Sequence, residues 1–208
     1  MRNTSSELAP VPVKNSETKI GLTCKRVTDV VLAGSALVAL SPIMLVTAAL
    51  IKIDSPGPII FKQKRFGRFG EYFEIYKFRS MRCDTPDIPT DQMLKMPSPV
   101  TRLGKFIRAT SIDELPQLIN VLRGDMTIVG PRPALHNQVS LNEKRQEAGV
   151  LRFPPGITGW AQVNGRDELA DDEKVSFDKW YCDNWNYWLD WRIIALTVST
   201  VLTGRGGN

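Results

Sequence analysis

The sequence predicts an α+β fold that is mostly helical and is attached to a membrane through its N-terminal region. An uncharged apolar run extends from Val30 to Ile51, and two strand-like segments flank the turn Gly67–Gly70. Segments with helical periodicity make up much of the remainder. They are residues 102–109, 115–123, 138–148 and 170–185.

The composition limits the class of protein. The chain has 208 residues, of which 42% are hydrophobic and 24% charged, so one folded core is expected and disorder is not. Lys and Arg total 27 against 22 Asp and Glu, a net charge of +5 that suits an anionic partner. With a single histidine, His136, and three scattered cysteines, a histidine-based triad, a structural zinc site and a disulfide framework are not indicated.

The N-terminal region combines a polar tail with the apolar run. Residues 1–19 are polar and are expected to form a flexible tail. The run Val30–Ile51 is long enough to span a bilayer as a helix. However, Ser41-Pro42 lies at its middle, where proline removes a backbone hydrogen bond, and cations flank both of its ends. A helix that enters the membrane, breaks at Ser41-Pro42 and returns explains both facts, but these residues alone leave a spanning helix equally open.

The next segments favour a small β-hairpin followed by a loop. Ile59–Arg65 and Glu71–Arg79 are predicted as strands on either side of the glycine-containing turn. Residues 83–100 are rich in Pro, Asp and Thr and are expected to form a surface loop.

Aromatic residues concentrate near the C-terminus. Four of the five tryptophans lie between Trp180 and Trp191, interleaved with Asp and Asn. The apolar segment Ile193–Leu202 is too short to span a membrane. We favour an amphipathic, interfacial helical element on the membrane surface, and a cluster of buried core aromatics is the alternative.

The hairpin segment is strongly basic. The window Lys62–Arg82 holds seven cations and two acidic residues. In a strand, Lys77 and Arg79 point to the same face about 6.6 Å apart, so they could bind neighbouring phosphates. No nucleic-acid-binding motif and no phosphate-loop motif accompanies them, so neither nucleic-acid binding nor ordinary nucleotide hydrolysis is indicated. A basic edge facing solvent or lipid is favoured for the outer members, Lys62, Lys64 and Arg65.

A second candidate site lies at an acidic pair, Asp113 and Glu114. Ser111 followed by Glu114 forms a capping-box pattern, which explains Glu114 structurally but leaves Asp113 unexplained. In a first helical turn, adjacent carboxylates diverge by about 100°, so one can hold a metal while the other attacks a substrate. A helix N-terminus also favours phosphate.

A third candidate is Arg132, within Gly130-Pro131-Arg132-Pro133. Two prolines restrict this turn, and a rigidly held arginine suits bidentate phosphate recognition. A structural arginine paired with a carboxylate is the alternative.

Several motifs occur together in this order: KRVTD, IKIDSPGPIIFKQKRFG, YKFRSM, SIDELPQLINVLRGDM, VGPRP and PPGITGWAQVNGR. The chain thereby resembles the bacterial sugar transferase family, the monotopic phosphoglycosyl transferases, over about residues 24–203 and in a minimal catalytic-domain form. The resemblance implies transfer of a sugar-1-phosphate from a UDP-sugar to undecaprenyl phosphate with release of UMP, the initiating step of capsule, exopolysaccharide or glycoconjugate synthesis. It also implies a re-entrant membrane helix broken at Ser41-Pro42.

The resemblance implies roles for individual residues. Asp113 matches the nucleophile that forms an aspartyl-phosphosugar intermediate, and Glu114 matches the residue that helps to hold Mg²⁺. Lys77, Arg108 and Arg132 match basic residues around the phosphates, whereas Arg79 is added from strand geometry alone. An ionised carboxylate needs no general base, and attack on a diphosphate requires charge neutralisation.

The implied organisation is a tail (1–19), a re-entrant membrane helix (20–54) and a cytosolic, membrane-associated catalytic domain (55–208) at the inner, cytoplasmic membrane. Besides the two substrates, membrane lipids are expected partners. The motifs PALHNQ and NGRDEL favour an N-acetylated amino sugar only weakly, and homodimer formation is left open.

Two rival functions come from other classes. A membrane-tethered lipid- or nucleic-acid-binding protein would use the basic hairpin, with binding that weakens steeply with salt and does not depend on Asp113. An inactive scaffold that recruits later glycosyltransferases would release no UMP from any sugar nucleotide.

Overall fold

The computed structural model describes residues 19–83, 99–165 and 169–202. The predicted tail before Lys19, most of the predicted loop 83–100, and the Arg-Asp-Glu of the NGRDEL motif therefore lie outside the described residues. The architecture is α+β and mostly helical, as predicted.

The first helix, α1, extends from Lys19 to Asp54 and is long and apolar enough to cross a membrane by length and composition. It continues through Pro42, so the expected break does not end the helix. Proline offers no N–H to the carbonyl four residues earlier, that of Val38. The Ser41 hydroxyl donates to that carbonyl at 2.8 Å. The freed acceptor is thus satisfied locally, and helical backbone continues on both sides.

One face of α1 packs against the rest of the chain along most of its length. Leu22, Ala33 and Ile51 each belong to, or pack on, a different hydrophobic cluster of the folded domain. At a rise of about 1.5 Å per residue, Lys25 and Ile51 lie about 39 Å apart in a straight helix. This distance exceeds the ~30 Å thickness of the hydrocarbon core of a bilayer. The opposite face is apolar and exposed, with Val31, Val38, Leu45, Val46 and Ile53.

A β-hairpin follows α1, as predicted. Strands β1 (Ile60–Phe66) and β2 (Tyr72–Phe78) pair in antiparallel register, with Gln63 opposite Ile75. The intervening turn places Phe69 at φ 57°, the left-handed region that residues with a side chain seldom adopt.

Helices and one small parallel strand pair complete the domain. The predicted helical segments are α2 (Arg102–Ala109), α3 (Gln117–Arg123), α4 (Val139–Glu147) and α6 (Asp171–Asn184). The remaining elements were not predicted at these bounds. They are β3 (Thr127–Val129), β4 (Gly156–Thr158), α5 (Trp160–Val163) and α7 (Tyr187–Leu202).

The C-terminal aromatics divide between core and surface. Tyr181 and Trp185 are buried in a core cluster, whereas Trp180, Trp188 and Trp191 are exposed. The region is thus amphipathic, in line with the favoured interpretation. Two of its aromatics, however, are buried in the core, as the alternative interpretation expected.

The polar residues of this region are partly buried as well. Asp190 accepts a hydrogen bond from Lys25 at 2.7 Å and another from the Tyr181 hydroxyl at 2.7 Å. Asp190, although it lies among the tryptophans, is therefore buried and is not part of a polar outer face. Lys25, one of the cations that precede the apolar run, is neutralised in this buried ion pair, which joins α1 to α7.

Candidate active site

Strand β2 and helix α3 place the candidate site, because one asparagine joins them. Asn120, on α3, accepts from the Tyr76 backbone N–H at 3.0 Å and donates to the Glu74 carbonyl at 2.7 Å. It is fully buried. These two bonds hold the start of α3 beside Lys77, the next residue of β2.

The acidic pair lies in a tight turn just before α3. Ser111 adopts a left-handed conformation (φ 56°, ψ 16°) and is followed by a 3₁₀ turn over Ile112–Glu114. The Ser111 side chain makes no capping hydrogen bond, so the predicted capping box is wrong. The capping box does not form because the Glu114 carboxylate is bound instead by cations from distant parts of the chain. A strained residue beside candidate catalytic groups is a common feature of functional sites.

Two cations from separate segments bind Glu114. The Lys77 Nζ lies 2.7 Å from Glu114 Oε1, and the Arg132 Nη2 lies 2.7 Å from the same oxygen. The Arg132 Nη1 approaches Oε2 at 3.5 Å. Burial alone would raise the pKa of Glu114, but the charges of Arg132 and Lys77 outweigh it and hold that pKa well below its usual range. Glu114 is therefore ionised at any physiological pH.

Asp113 has the opposite electrostatic character. Its residue surface is only 7% exposed. Burial raises the pKa of Asp113, Lys77 and Arg108 oppose the rise, and the negative charge of Glu114 adds to it. Burial also lowers the pKa of Lys77, against the opposing influence of Glu114. The site thus contains one firmly ionised carboxylate next to one whose basicity is increased, with cations close to both.

The turn that carries Arg132 is held from two sides. Arg145, on α4, donates to the Arg132 carbonyl at 2.7 Å and to the Asp178 carboxylate, on α6, at 2.6 Å. Arg145 is 4% and Asp178 1% exposed. On the other side, Arg65 donates to the Pro133 carbonyl at 3.1 Å. Charged residues of β1, α4 and α6 therefore fix the backbone of this turn, and Arg65 is not the solvated edge residue expected above.

Comparison with known proteins identifies the family of this chain. The family model described as bacterial sugar transferase matches residues 20–204. The chain belongs to the bacterial sugar transferase family.

Three curated relatives place this sugar transferase within its family. It is 42% identical to the uncharacterized sugar transferase EpsL of Bacillus subtilis, over 88% of this chain and 89% of EpsL. It is 46% identical to the UDP-glucose:undecaprenyl-phosphate glucose-1-phosphate transferase of Escherichia coli, over 84% of this chain and 39% of that protein. It is 43% identical to a UDP-N-acetylgalactosamine-undecaprenyl-phosphate N-acetylgalactosaminephosphotransferase of Aeromonas hydrophila, over 88% of this chain and 45% of that protein.

Coverage differs among these relatives. The chain spans most of the length of EpsL but less than half of the Escherichia coli and Aeromonas hydrophila proteins.

The structure of the sugar transferase brings most of the predicted site residues together. Lys77 and Arg132 contact Glu114 directly, and Arg108, at the C-terminal end of α2, is close enough to lower the pKa of Asp113. Arg132 therefore pairs with a carboxylate, which is the alternative stated above for this residue. The carboxylate is that of Glu114, a member of the candidate site.

Arg79 is the exception among the predicted residues. Strand β2 ends at Phe78, and the Arg79 guanidinium donates to the Ser55 carbonyl at 2.6 Å and the Pro56 carbonyl at 2.8 Å. It is 7% exposed. Its predicted position beside Lys77 on a phosphate-binding face is wrong, because the carbonyl groups at the C-terminal end of α1 take up its donors. Arg79 anchors α1 to the hairpin.

Sequence reasoning missed the residues that hold the site from behind, namely Asn120, Arg145 and Asp178. No local pattern distinguishes a helical Arg145 that pairs with Asp178 from one that is solvated, since their contact joins residues 33 positions apart.

The donor set fits Mg²⁺ when substrate phosphate is counted. Among the described residues, no three His, Cys, Asp or Glu side chains converge as a metal site. Mg²⁺ is usually held by one or two carboxylates together with phosphate oxygens and waters. Glu114, whose Oε1 contacts Lys77 and Arg132, supplies one carboxylate, and a bound diphosphate would supply further oxygens.

Proposed function

We propose that this sugar transferase moves a sugar-1-phosphate from a UDP-sugar to undecaprenyl phosphate and releases UMP, through a covalent intermediate on Asp113. One observation carries the proposal: a buried carboxylate with a raised pKa lies beside a carboxylate that Lys77 and Arg132 keep ionised. The Escherichia coli and Aeromonas hydrophila relatives are named for reactions of this class.

In the first step, a carboxylate oxygen of Asp113 attacks the phosphorus that bears the sugar. The Asp113 O–P bond forms, the bridging P–O bond of the diphosphate breaks, and UMP leaves with that bond's electron pair. Aspartate needs no general base because it attacks in its ionised form. Its raised pKa makes the anion a stronger nucleophile than an ordinary aspartate.

In the second step, a phosphate oxygen of undecaprenyl phosphate attacks the same phosphorus. The Asp113 O–P bond breaks, the carboxylate is regenerated, and the product is undecaprenyl diphosphate-sugar. The two successive displacements at one phosphorus need one nucleophile on the protein and no net proton transfer.

The cations around the pair offset the charge of the diphosphate. Arg132 and Lys77 contact Glu114, and we infer that both turn to phosphate oxygens as substrate enters, with Arg108 on the side of Asp113. Preorganised charges aimed at developing charge are a large source of catalysis. Glu114 would help to hold Mg²⁺, which when bound supplies further neutralisation of the diphosphate.

We propose that α1 is re-entrant and that the domain lies on the cytosolic face of the cytoplasmic membrane. The contacts of α1 near both of its ends support this topology. Lys25 pairs with Asp190 and Ile51 packs with Phe78 and Ile107, all in one domain. A straight spanning helix would place these two contacts on opposite sides of the bilayer.

The test is release of UMP from a panel of UDP-sugars in the presence of undecaprenyl phosphate and Mg²⁺. The panel holds UDP-glucose, UDP-galactose and UDP-N-acetylgalactosamine. The proposal expects UMP and a lipid-linked diphosphate sugar from at least one donor. Absence of UMP from every donor would support the inactive scaffold instead.

A further inference from the structure

A small cavity lies beside the acidic pair and plays no part in the chemistry above. Its volume is about 140 Å³. At one end are Ser111 and Glu114; the rest is walled by aliphatic and threonine side chains of α3, β4, α5 and α7. The main apolar members are Leu115, Leu118, Ile157 and Val163.

Most polar side chains of the walls have hydrogen bonds within the protein. The Thr158 and Thr197 hydroxyls bond to each other at 2.7 Å, and the Thr200 hydroxyl donates to the Leu196 carbonyl at 2.8 Å. The Gln162 amide N–H donates to the Ile157 carbonyl at 3.0 Å, and its buried Oε1 has no hydrogen-bond partner among the described residues. These walls therefore offer a ligand mainly methyl and methylene groups and one amide oxygen, and a nucleobase would find few donors for its carbonyl oxygens.

The cavity is polar at the end formed by Ser111 and Glu114, where Lys77 and Arg132 offset the charge of Glu114, and it is mainly apolar elsewhere. This arrangement matches an amphiphile with a phosphate head. Its position also fits, because α7 exposes Leu196 and Val198 on its surface and Leu118 packs in the cluster that holds Ala33 of α1. The cavity thus lies between the acidic pair and α7, and Leu118 in its wall belongs to the cluster that contains Ala33 of α1.

We infer that this cavity holds the first isoprene unit of the polyprenyl phosphate acceptor, next to the phosphate that attacks the intermediate. The inference rests on the proposed function. The volume suits a group of this size, since an apolar cavity of about 150 Å³ is known to accept a six-carbon ring. Seating that unit directs the acceptor phosphate to the end of the cavity formed by Ser111 and Glu114, next to Asp113 in the chain.

The inference is tested by filling the cavity from α7. Thr200→Phe places a ring in the cavity, and Val198→Phe places the same ring on the exposed face of the same helix. Thr200→Phe is expected to raise the KM for undecaprenyl phosphate about tenfold, because excluding two methylene-sized groups has about that effect. The KM for the UDP-sugar should stay unchanged, and Val198→Phe should alter neither value.

A raised KM for the UDP-sugar in Thr200→Phe would overturn the inference and assign the cavity to the nucleotide or sugar. An unchanged KM for the acceptor would overturn it as well. Thr200→Leu, which adds less bulk, gives the same readout if the Phe variant does not fold. Failure of the proposed function is distinct, since the wild-type protein would then release no UMP from any donor.

Discussion

Asp113 and Glu114 are adjacent in the sequence, and their surroundings shift their carboxyl pKa values in opposite directions. Burial dominates at Asp113 and raises its pKa, whereas the charges of Arg132 and Lys77 overcome burial at Glu114 and lower its pKa. Environments that separate the pKa values of two neighbouring groups are a recurrent means of giving them different roles. Here the separation supports the proposal that Asp113 is the reactive carboxylate, and it leaves Glu114 as the permanent anion.

The first prediction concerns Glu114. Glu114→Gln removes the anion that Lys77 and Arg132 contact and one candidate oxygen ligand for Mg²⁺. We expect turnover to fall by about 10²–10³-fold, the usual effect of losing one electrostatic contact to a reacting group, together with a higher Mg²⁺ requirement. The measurement is UMP release across a Mg²⁺ titration. Glu74→Gln, an exposed substitution on β2, is the matched control and should retain wild-type behaviour.

The second prediction concerns pH. In the proposed mechanism only ionised Asp113 attacks, so kcat/KM should fall as pH falls through the pKa of Asp113. The raised pKa should place this acid limb at higher pH than that of an ordinary aspartate. Lys77 lowers the pKa of Asp113. Lys77→Gln should therefore move the limb of the residual activity to higher pH, whereas Lys62→Gln, an exposed cation on β1, should leave it in place.

A limb that stays in place, or moves to lower pH, in Lys77→Gln would show that another group controls the acid side of the profile. Loss of activity by itself decides nothing here, because Lys77 also has a proposed role in binding phosphate.

The third prediction concerns the buried pair Arg145–Asp178. Breaking a buried ion pair by removing one partner usually costs about 3–5 kcal/mol, and Asp178→Asn leaves Arg145 with an uncompensated charge. We expect a large drop in the midpoint of thermal unfolding in detergent. Lys144→Gln breaks an exposed pair on the same helix and should change the midpoint little. Equal effects of the two variants would contradict the assigned importance of burial.

The fourth prediction concerns topology and uses the native thiols. Cys24 lies near the start of α1 and Cys83 beyond the hairpin, and both are exposed. If α1 is re-entrant, single-cysteine variants retaining either thiol should react with a membrane-impermeant maleimide from the cytosolic side only. Modification of the two thiols from opposite sides would establish a spanning helix.

Pro42→Leu extends the same experiment. Leucine restores the N–H that the Val38 carbonyl lacks and strengthens helix through the middle of α1. We expect a fraction of the variant to expose Cys24 on the opposite side. Uniform cytosolic labelling would mean that the domain contacts of α1, and not Pro42, determine the topology.

The sequence predicted those helices and strands whose formation depends on neighbouring residues in the chain. The hairpin followed from strand-like segments around Gly67–Gly70, and α2 from the period at 102–109. Strands β3 and β4 have three residues each, too few to show alternation. Their pairing depends on tertiary contact.

The candidate site likewise contains residues that the sequence predicted and contacts that it did not. Asp113, Glu114 and Arg132 were recognisable from motifs, whereas the Glu114 side chain obeyed neither the capping-box pattern nor any local rule, because two distant cations bind it. The prediction for Arg79 was wrong for a similar reason. Strand periodicity predicted that Arg79 lies beside Lys77, but its guanidinium donates instead to the carbonyl groups just after α1.

The most direct test of the covalent mechanism is to incubate the protein with a UDP-sugar substrate and Mg²⁺ without lipid acceptor and to measure the UMP released and the mass of the protein. An aspartyl-phosphosugar route predicts a burst of about one UMP per protein molecule and a mass increase of one phosphosugar on the peptide that contains Asp113. Asp113→Asn should give neither, and its turnover with lipid present should fall by several orders of magnitude. If the wild-type protein shows no burst and no adduct yet transfers sugar phosphate once lipid is added, the lipid phosphate attacks the UDP-sugar directly and Asp113 is not the nucleophile.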